Sequence, residues 1–521
     1  MNKMQSKRKI ESILTTILVT FLLEFSIVPI VSSTSTIYYV STTGNDTTGD
    51  GSFTNPWRTL EHASSIVTAG DNVFVRGGIY YEQVFINTSG TANKPIIFST
   101  YNNEIVVING NGHDIRWSKG VFTLGNQSYI TINGFTIEDS TFAGIAACGN
   151  GSGHITISNC IVHDCASSGI FIYSGDYTKP KKIHDINIKN NVVYDVNLEN
   201  DQEAVTLRYA DNFFIYHNYL YHLHKIGIDV KNGSSNGRIC NNEINCSENA
   251  NGDPSPGIYI DAGNRNEKNI QIYNNKLYGI GQGISLATEK GGTLNNITIF
   301  NNLICVKSNG FSIHKFGNTS GTTHLKQNIT VINNDFFENS ICIQITDGRQ
   351  NFRHFIIRNN IFNTSKTIMN WRYLTSQDVT NDHNLFSKNP GSMYIGNNYI
   401  IDNPKFVTPV YNNARYSDLH LQPTSVVINT GSKVKGPLFD YEGNVRPHGS
   451  YYDMGAYEYC GISPPWDVNI DGVCSILDFM LIGNRLGQKG SPGWIREDVD
   501  DNGEIQLFDL MMISSHYGEF W

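Results

Sequence analysis

Two short strand patterns alternate through the middle of the chain, and that alternation constrains the fold more than any other feature. The first pattern ends in Asn: ITISNCIV from Ile155, INIKNNVV from Ile186, IQIYNNKL from Ile270, ITIFNNLI from Ile297, ITVINNDF from Ile329 and FIIRNNIF from Phe355. The second falls between them: GIFIY from Gly169, AVTLR from Ala204, GIDVK from Gly227, GIYID from Gly257, GISLA from Gly283 and GFSIH from Gly310. Successive copies of the second begin 35, 23, 30, 26 and 27 residues apart. A period of this size, with alternating apolar residues, breaks rich in Gly and Asn, and no 3.6-residue periodicity, predicts a solenoid of β-coils. The expected class is all-β, a single-stranded parallel β-helix with columns of Ile, Val and Leu pointing inward.

The recurrent Asn (Asn159, Asn191, Asn218, Asn242, Asn275, Asn302, Asn334, Asn360) is expected at one corner of every coil. There it would take left-handed backbone and bond its amide to the Asn of the next coil. These residues turn the chain and carry no chemistry.

The sequence begins with Lys3, Lys7, Arg8 and Lys9, an apolar run from Ile13 to Val31, then Ser32 and Ser33, the pattern of a secretion signal over residues 1–33. Glu24 interrupts the run and disfavours a retained anchor. A net charge of -9 offers no basic face to nucleic acid. The nine cysteines have no metal-site spacing and read as small core residues. Asn-x-Ser/Thr matches (Asn87, Asn126, Asn296, Asn328, Asn363) arise readily in so Asn-rich a chain.

The opening, from YYVSTTGNDTTGDGSF through a helical stretch near residues 57–67 to VFVRGGIY, is similar to the N-terminal part of secreted right-handed β-helix proteins, including the pectate-lyase-like group. DLHLQPTSVVINTGSKVKGPLFDYEGNVRPHGSYYDMGAYEY, from Asp418, looks like the closing segment of the same superfamily. The resemblance implies a right-handed helix over residues 34–460, with an N-terminal cap at about 37–80 and a closing segment at about 400–460. It speaks for fold more than for substrate.

The tail holds two near-copies of one pattern, DVNIDGVCSILD and DVDDNGEIQLFD. Asp467, Asn469, Asp471, the Val473 carbonyl and Asp478 stand at positions one, three, five, seven and twelve of the first. Asp498, Asp500, Asn502, the Glu504 carbonyl and Asp509 repeat the set. Hard oxygen ligands at this spacing suit calcium, one ion per loop. Asp rather than Glu at position twelve, and no helix before Asp467, set the pair apart from ordinary EF-hands. The duplicate resembles a type I dockerin over residues 466–521, with 461–465 as linker. That resemblance implies a secreted cargo docked on the cohesin module of a scaffold or cell-surface protein. Ile476, Leu477, Leu507 and Phe508 stand where the family reads its partner; the competing reading is that they form the module's own core.

Aligning the second strand pattern leaves two outward columns: Thr206, Asp229, Tyr259, Ser285, Ser312, and Arg208, Lys231, Asp261, Ala287, His314, flanked by Glu203 and Glu289. Charged residues are only 16% of the chain, yet they gather here. Lys231 beside Arg208 is the expected base, its pKa lowered by the like charge. Asp229, Asp261, Glu203 and Glu289 are expected to hold a further cation, calcium, against a sugar carboxylate. Tyr259, Tyr209 and His314 are the candidate substrate contacts. The expected reaction is β-elimination on a uronate-containing polysaccharide. No DD-rich run of the family-nine pectate lyases and no paired-Asp signature of polygalacturonases is present. Two alternatives stand beside elimination: a glycoside hydrolase using paired carboxylates, and a non-catalytic glycan-binding or surface protein using Tyr209, Tyr259 and Trp371.

Overall fold

The computed structural model describes residues 35–175, 181–198, 203–249, 251–314, 324–348, 351–371, 374–391, 396–411, 414–432, 436–461, 465–469, 473–490, 495–500 and 502–519. The expected signal (1–33), most of the expected linker, and Asp471 lie outside them. Between Ile37 and Ile401 the coils wind through three parallel sheets, and each internal coil gives one strand to each. In the order the chain visits them, the first, second and third sheets carry 13, 13 and 11 strands. The two sequence patterns separate cleanly. ITISNCIV-type segments form the first sheet and turn into the second, whereas GIDVK-type segments form the third. The expected helical stretch is the helix Leu60–Ile66, capped by Thr59.

Register is held by the apolar columns. Ile155, Ile186, Phe213, Gly237, Ile270, Ile297, Ile329 and Phe355 stand one above another in the first sheet. A slip of one residue would turn this whole column to solvent. Gly237 answers the oversized Phe213: a Cβ there would lie 1.9 Å from the Phe213 ring. All nine cysteines are free, and eight are buried: six in the coils, Cys460 at the end of the closing segment and Cys474 in the tail.

The Asn corner is a ladder through the expected residues from Asn191 to Asn360, but the left-handed backbone falls one residue earlier than the sequence suggests. Left-handed backbone belongs to the residue before each ladder Asn: Asn190, His217, Asn241, Asn274, Asn301, Asn333, Asn359 and His383. The ladder itself runs through Asn191, Asn218, Asn242, Asn275, Asn302, Asn334, Asn360 and Asn384, each Nδ2 reaching the next Oδ1 at 2.9–3.0 Å. Each amide also donates to a main-chain carbonyl of the coil before, so a buried polar column is satisfied throughout. Asn159 is itself left-handed, and Cys160 takes the ladder place above it, its N–H donating to Asn191.

The left-handed column has its own task. Asn274, Asn301 and Asn333 donate to the carbonyls of Tyr441, Phe439 and Asp453, and Asn359 holds Ser432 through both amide atoms. The closing segment is thereby hydrogen-bonded along the corner. Phe406, Leu419, Leu421, Val427, Met454 and Ala456 form a second apolar cluster with Phe337, Leu385 and Ile361. Among the described residues no helix is long and apolar enough to cross a membrane.

Candidate active-site cavity on the third sheet

The outward columns fall as the alignment requires. Thr206, Asp229, Tyr259, Ser285 and Ser312 are in register, and so are Arg208, Lys231, Asp261, Ala287 and His314. Adjacent strands bring these side chains within about 4.8 Å of one another. Loops at both ends of the strands wall the columns into a cavity of about 530 Å³, lined by Glu203, Asp229, Lys231, Tyr259, Asp261, Glu289 and His314. Lys225, Asp253 and Gln282 also line it. Lys225 and Asp253 come from loops whose reach no periodicity discloses. Gln282 lies one residue before the aligned strand, opposite Pro256, and was legible by extending the alignment.

Two clusters share the cavity. In one, Lys231 Nζ donates to Asp229 Oδ2 at 2.6 Å and to Glu203 Oε2 at 2.7 Å. Lys225 stands 3.7 Å from the other Glu203 oxygen. Burial works to lower the Lys231 pKa, but Asp229 and Glu203 outweigh it and hold the ammonium well above its ordinary value. Burial pushes the Asp229 carboxyl up, against the pull of Lys231, and its Oδ1 has no hydrogen-bond partner among the described residues.

This corrects the expected base. Lys231 is a locked ammonium rather than a free amine. Arg208 does not activate it: the guanidinium lies 5.3 Å over the Tyr173 ring. Lys231 also sits between the carboxylates where the expected cleft cation would sit. Among the described residues, no three carboxylates of the strip converge within the 4.8 Å that gathers the two candidate metal clusters found elsewhere.

In the second cluster Tyr259 O–H donates to Glu289 Oε1 at 2.7 Å. Asp261 Oδ1 accepts from the Gly263 N–H at 2.9 Å and the Glu289 N–H at 3.1 Å. Burial, then the Glu289 charge, push the Asp261 carboxyl up to about 6. Ser312 Oγ contacts His314 Nε2 at 2.8 Å and Ser285 Oγ at 2.6 Å, and burial lowers the His314 pKa. The arrangement offers a carboxyl raised to about 6, a second carboxylate beside it and an ammonium on the neighbouring strand. Two aromatic expectations fail. Tyr209 lies outside the cavity, its ring covered by Arg265 at 4.3 Å, and Trp371 is buried at 2% exposure.

The tail forms two loop–helix units, with helices Ile476–Arg485 and Leu507–Ser514 around Val468, Cys474, Ile482, Val499, Ile505 and Ile513. The twelfth loop residue doubles as a helix cap: Asp478 accepts from the Asn469 and Ser475 N–H groups, and Asp509 from those of Val499 and Gln506. Carboxylate oxygens of Asp498, Asp500 and Asp509 lie within 4.8 Å of one another, an all-oxygen donor set that fits calcium. In the first loop Asp471 is outside the described residues. Ile476, Leu477, Leu507 and Phe508 are 58%, 52%, 69% and 51% exposed, so they do not form the module's core.

Comparison with known proteins bears on the solenoid. Residues 38–213 match a family described as "Pel9A-like, right handed beta helix region". The match ends before most of the strip. An uncharacterized protein, YwoF, of Bacillus subtilis (strain 168) is 28% identical over 312 residues, spanning 55% of this chain and 65% of that one. Among solved structures, the complex of XylC with xylose is similar at a TM-score of 0.54 and 14% identity, over 81% of this chain and 98% of that chain. Pectate lyase Pel9A is similar at a TM-score of 0.48 and 18% identity, over 82% and 97%. The fold is that of the right-handed parallel β-helices.

Proposed function

We propose that the chain is a secreted polysaccharide-cleaving enzyme and that the third-sheet cavity cuts the glycosidic bond by carboxyl acid–base chemistry. One observation carries the reading: Asp261, held up to about 6, lies against Glu289 in a cavity whose lysine is locked as an ammonium. A carboxyl raised to about 6 stays partly protonated in weakly acidic solution and can protonate a leaving glycosidic oxygen. Glu289, oriented by the Tyr259 O–H, is the partner carboxylate. Hydrolysis is therefore the favoured reaction, and the XylC–xylose complex shows that a related fold accepts a sugar.

Elimination on a uronate is the second reading, favoured by Lys231. Its ammonium would neutralise the sugar carboxylate, and Asp261 would take the proton. A screen over xylan, pectin, alginate and related glycans tests both. Saturated products whose formation disappears in Asp261→Asn support hydrolysis, and unsaturated uronate ends support elimination; no cleavage of any glycan, with binding retained, supports the non-catalytic alternative.

We further infer that the tail is a calcium-held dockerin that attaches the enzyme to a cohesin on a scaffold or cell surface. Asp467, Asn469, Asp471, the Val473 carbonyl and Asp478 would hold one ion, and Asp498, Asp500, Asn502, the Glu504 carbonyl and Asp509 the other. Support comes from the converging carboxylates of the second loop and the exposed Ile476, Leu477, Leu507 and Phe508. Calcium-dependent retention on an immobilised cohesin, lost when Asp467 and Asp498 are changed to Ala, is the expected result.

A further inference from the structure

At the leading edge of the first sheet one column of left-handed residues climbs the solenoid: Tyr129, His154, Asp185, Asn212, Asn236, Asn269, Asn296 and Asn328. Over most of its length Asn serves, with Nδ2 of Asn269 and Asn296 bonded to the Oδ1 of the coil before at 2.8 and 2.9 Å. Asn suffices for left-handed backbone. At two consecutive coils the column changes to His154 and Asp185, and His184 precedes Asp185. The turn does not require that change.

The three side chains converge. Asp185 Oδ2 is 2.6 Å from His184 Nδ1 and 3.3 Å from His154 Nε2, and the ligand atoms all lie within 4.8 Å. Their neighbours fix them in place. Asn212 Nδ2 donates to the other Asp185 oxygen, and Tyr129 stacks on the His154 ring at 4.2 Å. Gly153, opposite His184, leaves room for the ring; a Cβ there would lie 2.6 Å from Nδ1.

We propose that His154, His184 and Asp185 bind one divalent d-block ion of the zinc class, at a site separate from both the third-sheet cavity and the tail. Two imidazoles and one carboxylate are the donor set such ions prefer, whereas calcium takes oxygen. Bonds of about 2.0–2.2 Å place tetrahedral ligand atoms about 3.3 Å apart. The His154–Asp185 separation already fits, and the His184–Asp185 contact would open as the ion replaces the shared proton. The side chains are 40%, 39% and 29% exposed, so solvent can complete the coordination. Asn212 acts as a positioning residue through Asp185.

The test is a zinc titration of the full chain against a chromophoric chelator, with calcium in excess so that the tail ligands are occupied. One zinc equivalent is expected, undisturbed by calcium. His184→Ala or Asp185→Asn should abolish it, and Asn212→Ala should weaken it about 10- to 100-fold. His163→Ala, which removes an imidazole set between Asp164 and Glu138, should leave it unchanged. Melting curves confirm that the variants fold. Absence of the equivalent, its displacement by calcium, or its survival in folded His184→Ala would overturn the proposal.

Discussion

Asp261 and Lys231 show what a residue's neighbours do to its chemistry. An Asp released from burial titrates near 3.8, whereas Asp261 holds its proton to about 6. Between those values the folded state binds more protons than the unfolded chain, so stability contributed by this site falls as pH rises from about 4 to 6 and stays lower above. Asp261→Asn keeps an acceptor for the Gly263 and Glu289 N–H groups but cannot ionise. It should raise the melting temperature at pH 7, change it little at pH 4, and lower turnover about 10²–10⁴-fold. A variant that is inactive and no more stable at pH 7 would contradict the assigned acid. Lys231→Ala makes the opposite prediction. It strands Glu203 and Asp229 in a buried cavity and should cost about 3–5 kcal/mol in denaturant melts. The sequence places Lys231 on an outward strand position, which is where it stands. It cannot show that Glu203, a coil earlier, and Asp229, two residues back, both turn toward the amine. The columns were legible because β-geometry has a period of two; the pairing was not, because side-chain direction depends on the loops that wall the cavity.

At the scale of the element, the Asn corner divides its labour between two adjacent residues. Asn242 donates to Ile215, Cys240 and Asn275 and receives from Asn218, whereas Asn241 supplies the left-handed turn at φ 53°. Asn242→Ala would leave buried main-chain groups of neighbouring coils unpaired and should cost about 2–4 kcal/mol. Asn241→Gly, which adopts positive φ freely, should change stability by less than about 1 kcal/mol. Equal effects in equilibrium unfolding would refute the division. The NN doublets announce a corner, and the repeat interval locates it. Which Asn points inward is settled by the hydrogen-bonding phase of the strand before it, and that phase is hidden where His217 or Cys160 replaces one member. The closing segment was recognisable by resemblance, but its attachment through Asn274, Asn301, Asn333 and Asn359 connects residues up to 167 positions apart and leaves no local signal.

Over the whole molecule, solenoid and tail rest on different forces. The solenoid is held by continuous apolar columns and a satisfied amide ladder, which need no ion. The tail has a small core and loops crowded with Asp carboxylates, whose repulsion a divalent ion would relieve. Excess chelator should therefore remove the circular-dichroism signal of the helices Ile476–Arg485 and Leu507–Ser514 and leave the β-sheet signal intact; tail helices with unchanged melting in chelator would contradict the calcium reading. The central claim, that the cavity breaks glycosidic bonds through Asp261 and Glu289, is tested most directly by cleavage in oxygen-labelled water. Digestion of the glycan that the screen identifies should place one labelled oxygen at each new reducing end and none at the new non-reducing end, and Asp261→Asn should place none at either. Labelled ends formed equally fast by Asp261→Asn, or an unsaturated product free of label, would contradict it.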